Sequence, residues 1–163
     1  MFKYHGNEKT QIDYIVDKKQ IKLFDFKIGG EKLSFITLLS RVFFFLISKG
    51  RLAIYYVKNQ EKGDIMHTSY VIGKCFKFPF MKKEDIDIGP CQTAKAYRGK
   101  GIYKNVLNFI NNEQSLGSKA AYMIVKTDNI PSIKGIETAR FKRVGLVSKS
   151  KRLKIYKLIE NQE

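Results

Sequence analysis

The segment Asp87-Ile88-Gly89-Pro90-Cys91-Gln92-Thr93-Ala94-Lys95-Ala96-Tyr97-Arg98-Gly99-Lys100-Gly101-Ile102-Tyr103 constrains the fold more than any other stretch of the chain. It reads as a strand end, a basic glycine turn and the first turn of a helix that begins near Ile102. In that arrangement backbone N–H groups point at an anion, and the helix N-terminus favours its negative charge. Gly99 and Gly101 let the backbone come close to a phosphate, while Arg98, Lys100 and Lys104 supply positive charge. Val106, Leu107, Phe109 and Ile110 then recur at helical spacing, which predicts a helix to about Asn112. An ordinary strand-to-helix turn with solvated basic side chains would read the same way, so the turn alone leaves both open.

Arg98-Gly99-Lys100-Gly101-Ile102-Tyr103 resembles the acetyl-CoA-binding motif of the GNAT N-acetyltransferase superfamily, whose core pattern is Arg/Gln-x-x-Gly-x-Gly/Ala. It matches at Arg98 and Gly101, with the customary extra glycine at Gly99. Downstream, Asn129-Ile130-Pro131-Ser132-Ile133-Lys134-Gly135-Ile136-Glu137-Thr138-Ala139-Arg140-Phe141 resembles the family's Asn-x-x-Ala/Ser segment ending in a Glu-x-x-Gly-Phe turn. The resemblance implies an α/β (α+β) fold: one GNAT-like domain over residues 1–163, with a mixed, mostly antiparallel central sheet and helices on both faces. It implies acetyl-CoA as co-substrate and no metal. Arg98, Gly99, Lys100, Gly101, Ile102 and Tyr103 would hold the pyrophosphate, Thr93 and its strand neighbours the pantetheine arm, and Asn129 with Ser132 would border the cofactor. Three departures stand out. Tyr103 replaces the small residue that closes the glycine turn, and Arg140 replaces the glycine of the Gly-Phe turn. Ile136 occupies the place of the tyrosine that protonates the leaving thiolate, so that role is not carried over.

The rest of the chain is expected to complete one domain. Its 163 residues, 44% hydrophobic and 13% aromatic, suffice for a single core, and no low-complexity tract or repeat divides them. Gln11 to Val16 and Gln20 to Ile28 are expected as early strands around a turn at Asp17-Lys18-Lys19. The apolar run Ser34 to Ser48 is expected as a helix packed on the sheet. It is broken by Arg41 and falls short of the ~20 apolar residues that span a bilayer. Contact with a membrane interface is its second reading, since Lys49 and Arg51 follow. Leu52 to Val57 and Ile65 to Gly73 are expected strands, separated by a turn from Asn59 to Gly63. Strands at Asp85 to Thr93 and Ala120 to Lys126, a helix at Ser132 to Ala139, and strands at Phe141 to Ser148 and Arg152 to Leu158 follow. Cys75 and Cys91 are too few for a disulfide framework and suit a reducing, cytoplasmic setting. Cys91 precedes the glycine turn as a nucleophile would, but a small buried hydrophobe is the commoner role of such a residue.

Charge points to anionic partners without choosing one. The formal net charge is +16. Residues 1–88 carry 16 basic and 10 acidic side chains, and residues 89–163 carry 15 and 5, so the excess concentrates beside the glycine turn. That suits a ligand with several phosphates. No RNA- or DNA-binding motif accompanies the charge, and nucleic acid is not the expected partner.

Transfer of an acetyl group to an amine requires a proton acceptor. Along a regular strand Asp85, Asp87, Gly89, Cys91 and Thr93 share one side, and Asp87 would lie at the depth where some GNAT relatives place a carboxylate base. His67, in Met66-His67-Thr68-Ser69-Tyr70 on the expected neighbouring strand, is the other candidate. A lysine pair for Asp87 and a structural role for His67 are the alternatives. His67-Thr68-Ser69-Tyr70, Lys77-Phe78-Pro79-Phe80-Met81 and Ile88-Gly89-Pro90-Cys91 together resemble a GNAT subgroup of bacterial surface-polysaccharide gene sets. That resemblance implies a nucleotide-linked amino sugar as acceptor. Two other functions stay open: a non-catalytic sensor of CoA or a nucleotide, and a basic adaptor for RNA or an anionic membrane. Assembly into an oligomer is open as well.

Overall fold

The computed structural model describes residues 1–4, 14–21, 27–28, 31–32, 42, 45–46, 48, 50–114 and 120–161. Eleven strands and two α-helices are placed among them: β1 (Phe2–Tyr4), β2 (Asp17–Gln20), β3 (Lys27–Ile28), β4 (Glu31–Lys32), β5 (Leu52–Lys58), β6 (Ile65–Gly73), β7 (Ile86–Thr93), α1 (Ile102–Gln114), β8 (Ala121–Met123), α2 (Ile130–Thr138), β9 (Lys142–Arg143), β10 (Gly145–Lys149) and β11 (Tyr156–Asn161). Seven strands form the central sheet in the order β2-β5-β6-β7-β8-β1-β9. Every pairing in it is antiparallel except β7 with β8. β10 and β11 form a separate hairpin, as do β3 and β4. A mixed α+β architecture results, as the resemblance implied.

Alternation along β5 creates two cores, one on each face of the sheet. Ala53, Tyr55 and Val57 face one way and pack with Ile102, Val106, Leu107 and Ile110 of α1 and Ile136 of α2. Leu52 and Ile54 face the other way and pack with Cys75, Phe78 and Met81 of the β6–β7 connection and with Tyr122 of β8. α1 and α2 therefore both cover the first face. Among the described residues of the expected Ser34 to Ser48 helix, Val42, Phe45 and Leu46 are helical. Ser48 lies in a turn; the remainder of that run, and Gln11 to Asp13, lie outside the described residues, and so do residues 22–26 of the expected Gln20 to Ile28 strand.

Several expected boundaries move, for physical reasons. Asp17-Lys18-Lys19 is part of strand β2 and not a turn, paired with Ala53 to Tyr56 of β5. Its polar composition suits a sheet edge, where lysines blunt further pairing, and Lys18 Nζ meets Glu113 at 2.9 Å. β8 spans three residues and not seven, because its ladders end there, with β7 at Tyr122 and with β1 at Met123. The expected strand from Phe141 to Ser148 divides at Val144 into β9 and β10. Arg140, standing where the resemblance expects glycine, keeps the glycine conformation at φ 65°. Phe141 N–H donates to Ile136 O and Arg140 N–H to Glu137 O, closing α2 with a Schellman cap at a cost of about 1–2 kcal/mol for the left-handed residue. No described helix is long and apolar enough to cross a membrane.

Candidate active site

The glycine turn takes the form its sequence requires. Gly99 and Gly101 adopt φ values of 77° and 74°, which side chains disfavour. A Cβ at Gly99 would meet nothing within 4 Å, and at Gly101 only Asn105 Nδ2 at 3.8 Å, so both stand beside open space. Arg98, Lys100 and both glycines are exposed, with α1 starting directly behind them. Arg98 Nε donates to Thr93 O at 3.2 Å, and the Tyr14 hydroxyl donates to Lys100 O at 2.8 Å, tying the turn to β7 and to the N-terminal part of the chain. At α2, Asn129 Oδ1 accepts from Ser132 N at 3.3 Å and Pro131 sits in the first turn, so this pair caps the helix.

Tyr103 explains its own departure from the small-residue pattern. Its ring lies on the backbone of α2 at Gly135, where an added Cβ would come within 2.7 Å of it. On its other side it packs beside His67, ring centroids 5.7 Å apart. Its hydroxyl is in hydrogen-bonding contact with Cys91. The bulky tyrosine thus occupies space vacated at Gly135 and fastens α1 to α2. Burial pushes the Cys91 thiol up to about 12 and raises the Tyr103 phenol too. Cys91 therefore stays a protonated thiol and not a nucleophile.

The register of β6 and β7 divides the two candidate bases. Ile72 pairs with Asp87, Val71 with Ile88, Ser69 with Cys91 and His67 with Thr93. Two β7 residues, Gly89 and Pro90, stand opposite the single Tyr70, which makes a β-bulge. The bulge reverses the alternation. Asp87 and Ile72 face the Phe78 side of the sheet, whereas Ile88, Cys91 and Thr93 face α1. The expectation that Asp85, Asp87, Gly89, Cys91 and Thr93 share one side is thereby corrected. Asp85 is taken up by structure, accepting from Lys82 N at 2.6 Å and Ala120 N at 3.0 Å.

His67 is fully buried on the α1 face. Its Nδ1 is 2.7 Å from Thr93 Oγ1 and its Nε2 is 2.8 Å from Ser69 Oγ, so both ring nitrogens are occupied. Burial drives its pKa down to about 4. The ring is thus neutral at physiological pH, and its folded pKa lies below the unfolded value. Stability from this site is complete above the unfolded pKa and is lost as pH falls toward about 4. His67→Ala is expected to cost about 2–4 kcal/mol in urea denaturation at neutral pH, from the cavity and the two hydroxyls left unpaired.

Asp87 occupies a different setting. It is buried, and its Oδ1 has no hydrogen-bond partner. It lines a cavity of about 560 Å³ with Tyr70, Lys77, Phe78, Gln92, Lys149 and Tyr156. Burial pushes its pKa up to about 7, against a smaller opposing pull from Lys77. Gly89, Pro90 and Ile124 also line the space, so it opens where β7 and β8 part. These strands pair only at Ile86 with Ala121 and Asp87 with Tyr122. Beyond that point β7 has no ladder partner on this side among the described residues. Tyr70, Lys77 and Phe78 lie in segments that the subgroup resemblance marks, whereas Lys149 and Tyr156 carry no local sequence signal and reach the site from β10 and β11. Among the described residues no three His, Cys, Asp or Glu side chains converge as a metal site.

No family model matches the sequence, and no curated protein matches it. Solved structures do. A GNAT-family acetyltransferase from Colwellia psychrerythraea superposes with a TM-score of 0.55 at 19% identity, over 86% of this chain and 51% of the other. The chain thus spans about half the length of that protein. A Bordetella pertussis protein assigned to the GNAT acetyltransferases gives 0.60 at 14% identity, over 87% and 92% of the two chains. Glucosamine-6-phosphate N-acetyltransferase from Arabidopsis thaliana gives 0.51 at 16% identity, over 84% and 99%. With the glycine turn, the parting of β7 from β8 and these superpositions, the chain has the fold of the GNAT acetyltransferases.

Proposed function

We propose that the protein transfers an acetyl group from acetyl-CoA to a primary amine, with an amino sugar as the acceptor. The observation that carries this reading is the buried carboxylate of Asp87, whose Oδ1 has no hydrogen-bond partner, lining a cavity at the point where the two parallel strands separate. The exposed turn Arg98 to Gly101 and the first turn of α1, with Ile102 and Tyr103, would receive the pyrophosphate. The edge of β7 that has no ladder partner among the described residues would pair with the amides of the pantetheine arm as an added strand does. Asn129 and Ser132 border the same helix pair. The amine nitrogen attacks the thioester carbonyl, a C–N bond forms, the C–S bond breaks, and the thiolate departs as the amine gives up its proton. Asp87 accepts that proton. His67, with both ring nitrogens occupied on the opposite face, holds Thr93 and Ser69 in place. The free Cys75 and Cys91 suit a cytoplasmic setting.

A proton acceptor must be ionised to work. With Asp87 at about 7, kcat/KM is expected to rise with pH up to that value and then level, unless the amine itself titrates higher. A rate profile measured on wild type and on Asp87→Asn tests this, since the variant should lack the step. A step retained in the variant would assign the base elsewhere. A carboxylate lining the cavity also favours catalysis over a pure sensor, which needs no base there.

A further inference from the structure

The cavity that holds Asp87 also gathers two lysines. Lys77 comes from the β6–β7 connection, whose position is fixed where Tyr156 N–H donates to Lys77 O at 2.9 Å. Lys149 ends β10 and lies over the Tyr156 ring, 5.3 Å from its centroid. Both line the cavity with Asp87. Lys77 is close enough to feel the charges of both Lys149 and Asp87. Two ammonium groups against one carboxylate leave this space electropositive at neutral pH, and the surrounding chain adds to the field. An amine with no other charge would enter against that field.

We infer that the acceptor is a phosphorylated amine, with its phosphate held between Lys77 and Lys149 and its amino group facing Asp87. A phosphate monoester brings nearly two negative charges at neutral pH, matching two lysines better than a single carboxylate would. Tyr70, Phe78 and Tyr156 offer ring surfaces for the carbon skeleton. The volume of about 560 Å³ suits a ligand the size of a sugar phosphate. The inference rests on the acyl-transfer reading and narrows its acceptor.

Calorimetric titration of the whole protein with glucosamine 6-phosphate and with glucosamine tests it. The phosphorylated amine should bind at least about tenfold more tightly, and Lys77→Met or Lys149→Met should each remove about tenfold of that affinity. Methionine keeps the length of the side chain and its packing, and acetyl-CoA binding serves as the control for folding. Equal binding of the two amines, or lysine variants that leave the preference intact, would overturn the inference. So would weakening of acetyl-CoA itself in both variants, which would give the lysines to the co-substrate. Acetyl transfer is followed in parallel with both amines. Glucosamine acetylated as efficiently as its phosphate leaves the transferase reading standing and removes this one. Lysine-dependent binding without any transfer removes the transferase reading and the acceptor role with it, and leaves the two lysines as a phosphate site only.

Discussion

Asp87→Asn is expected to lower kcat for acetyl transfer by about 10²- to 10⁴-fold while acetyl-CoA affinity stays within about twofold. Asparagine fills the same volume but cannot take a proton from the attacking amine. The cavity walls and the glycine turn lie on other residues, so co-substrate binding should survive. The same variant has a stability signature. Asp87 has a pKa of about 7 in the folded chain against 3.8 for an ordinary carboxyl, so folding favours its protonated form. The resulting contribution to stability is fully present below the unfolded pKa and is lost as pH rises through about 7. Asparagine never ionises, so it escapes that loss. Urea denaturation at about pH 5 and about pH 8 should show Asp87→Asn gaining on wild type as pH rises. A kcat loss below about tenfold would move the proton acceptor to another group.

Gly101→Asp is expected to weaken acetyl-CoA binding by about 100-fold or more, from a carboxylate placed against a diphosphate. Gly101 has φ 74°, and its Cβ direction opens toward Asn105 and otherwise toward space, so the new side chain stands where the ligand would approach. Asparagine at this position separates charge from bulk, since it tolerates the left-handed conformation nearly as well. Binding should recover substantially in Gly101→Asn. Calorimetric titration with acetyl-CoA reads both variants, with circular dichroism as the check on folding. Equal affinity for wild type and Gly101→Asp would remove the glycine turn from the co-substrate site.

Legibility in the sequence followed the range of the interactions involved. α1 was readable because its start is set by the glycines before it and its apolar stripe repeats every turn. β5 and β6 were readable because each is an apolar or alternating run bounded by polar turns. β2 was not, because a charged edge strand has the composition of a turn and is defined only by its partner, β5. Arg140 departs from the glycine of the usual turn, yet the helix cap persists because the bonds from Phe141 and Arg140 to α2 hold the backbone in it.

The sequence by itself determined the basic glycine turn at Arg98 to Gly101, the helix behind it and the order of the strands that lead there. Those features depend on φ preferences and on side-chain periodicity within a few residues, which are local properties of the chain. Only the tertiary structure decided which candidate base reaches the cavity. One extra residue at Gly89–Pro90 reverses the faces of β7, placing Asp87 with Lys77, Lys149 and Tyr156 and leaving His67 sealed behind Thr93 and Ser69. The register of a bulge is set by the neighbouring strand, and no alternation pattern within β7 itself records it.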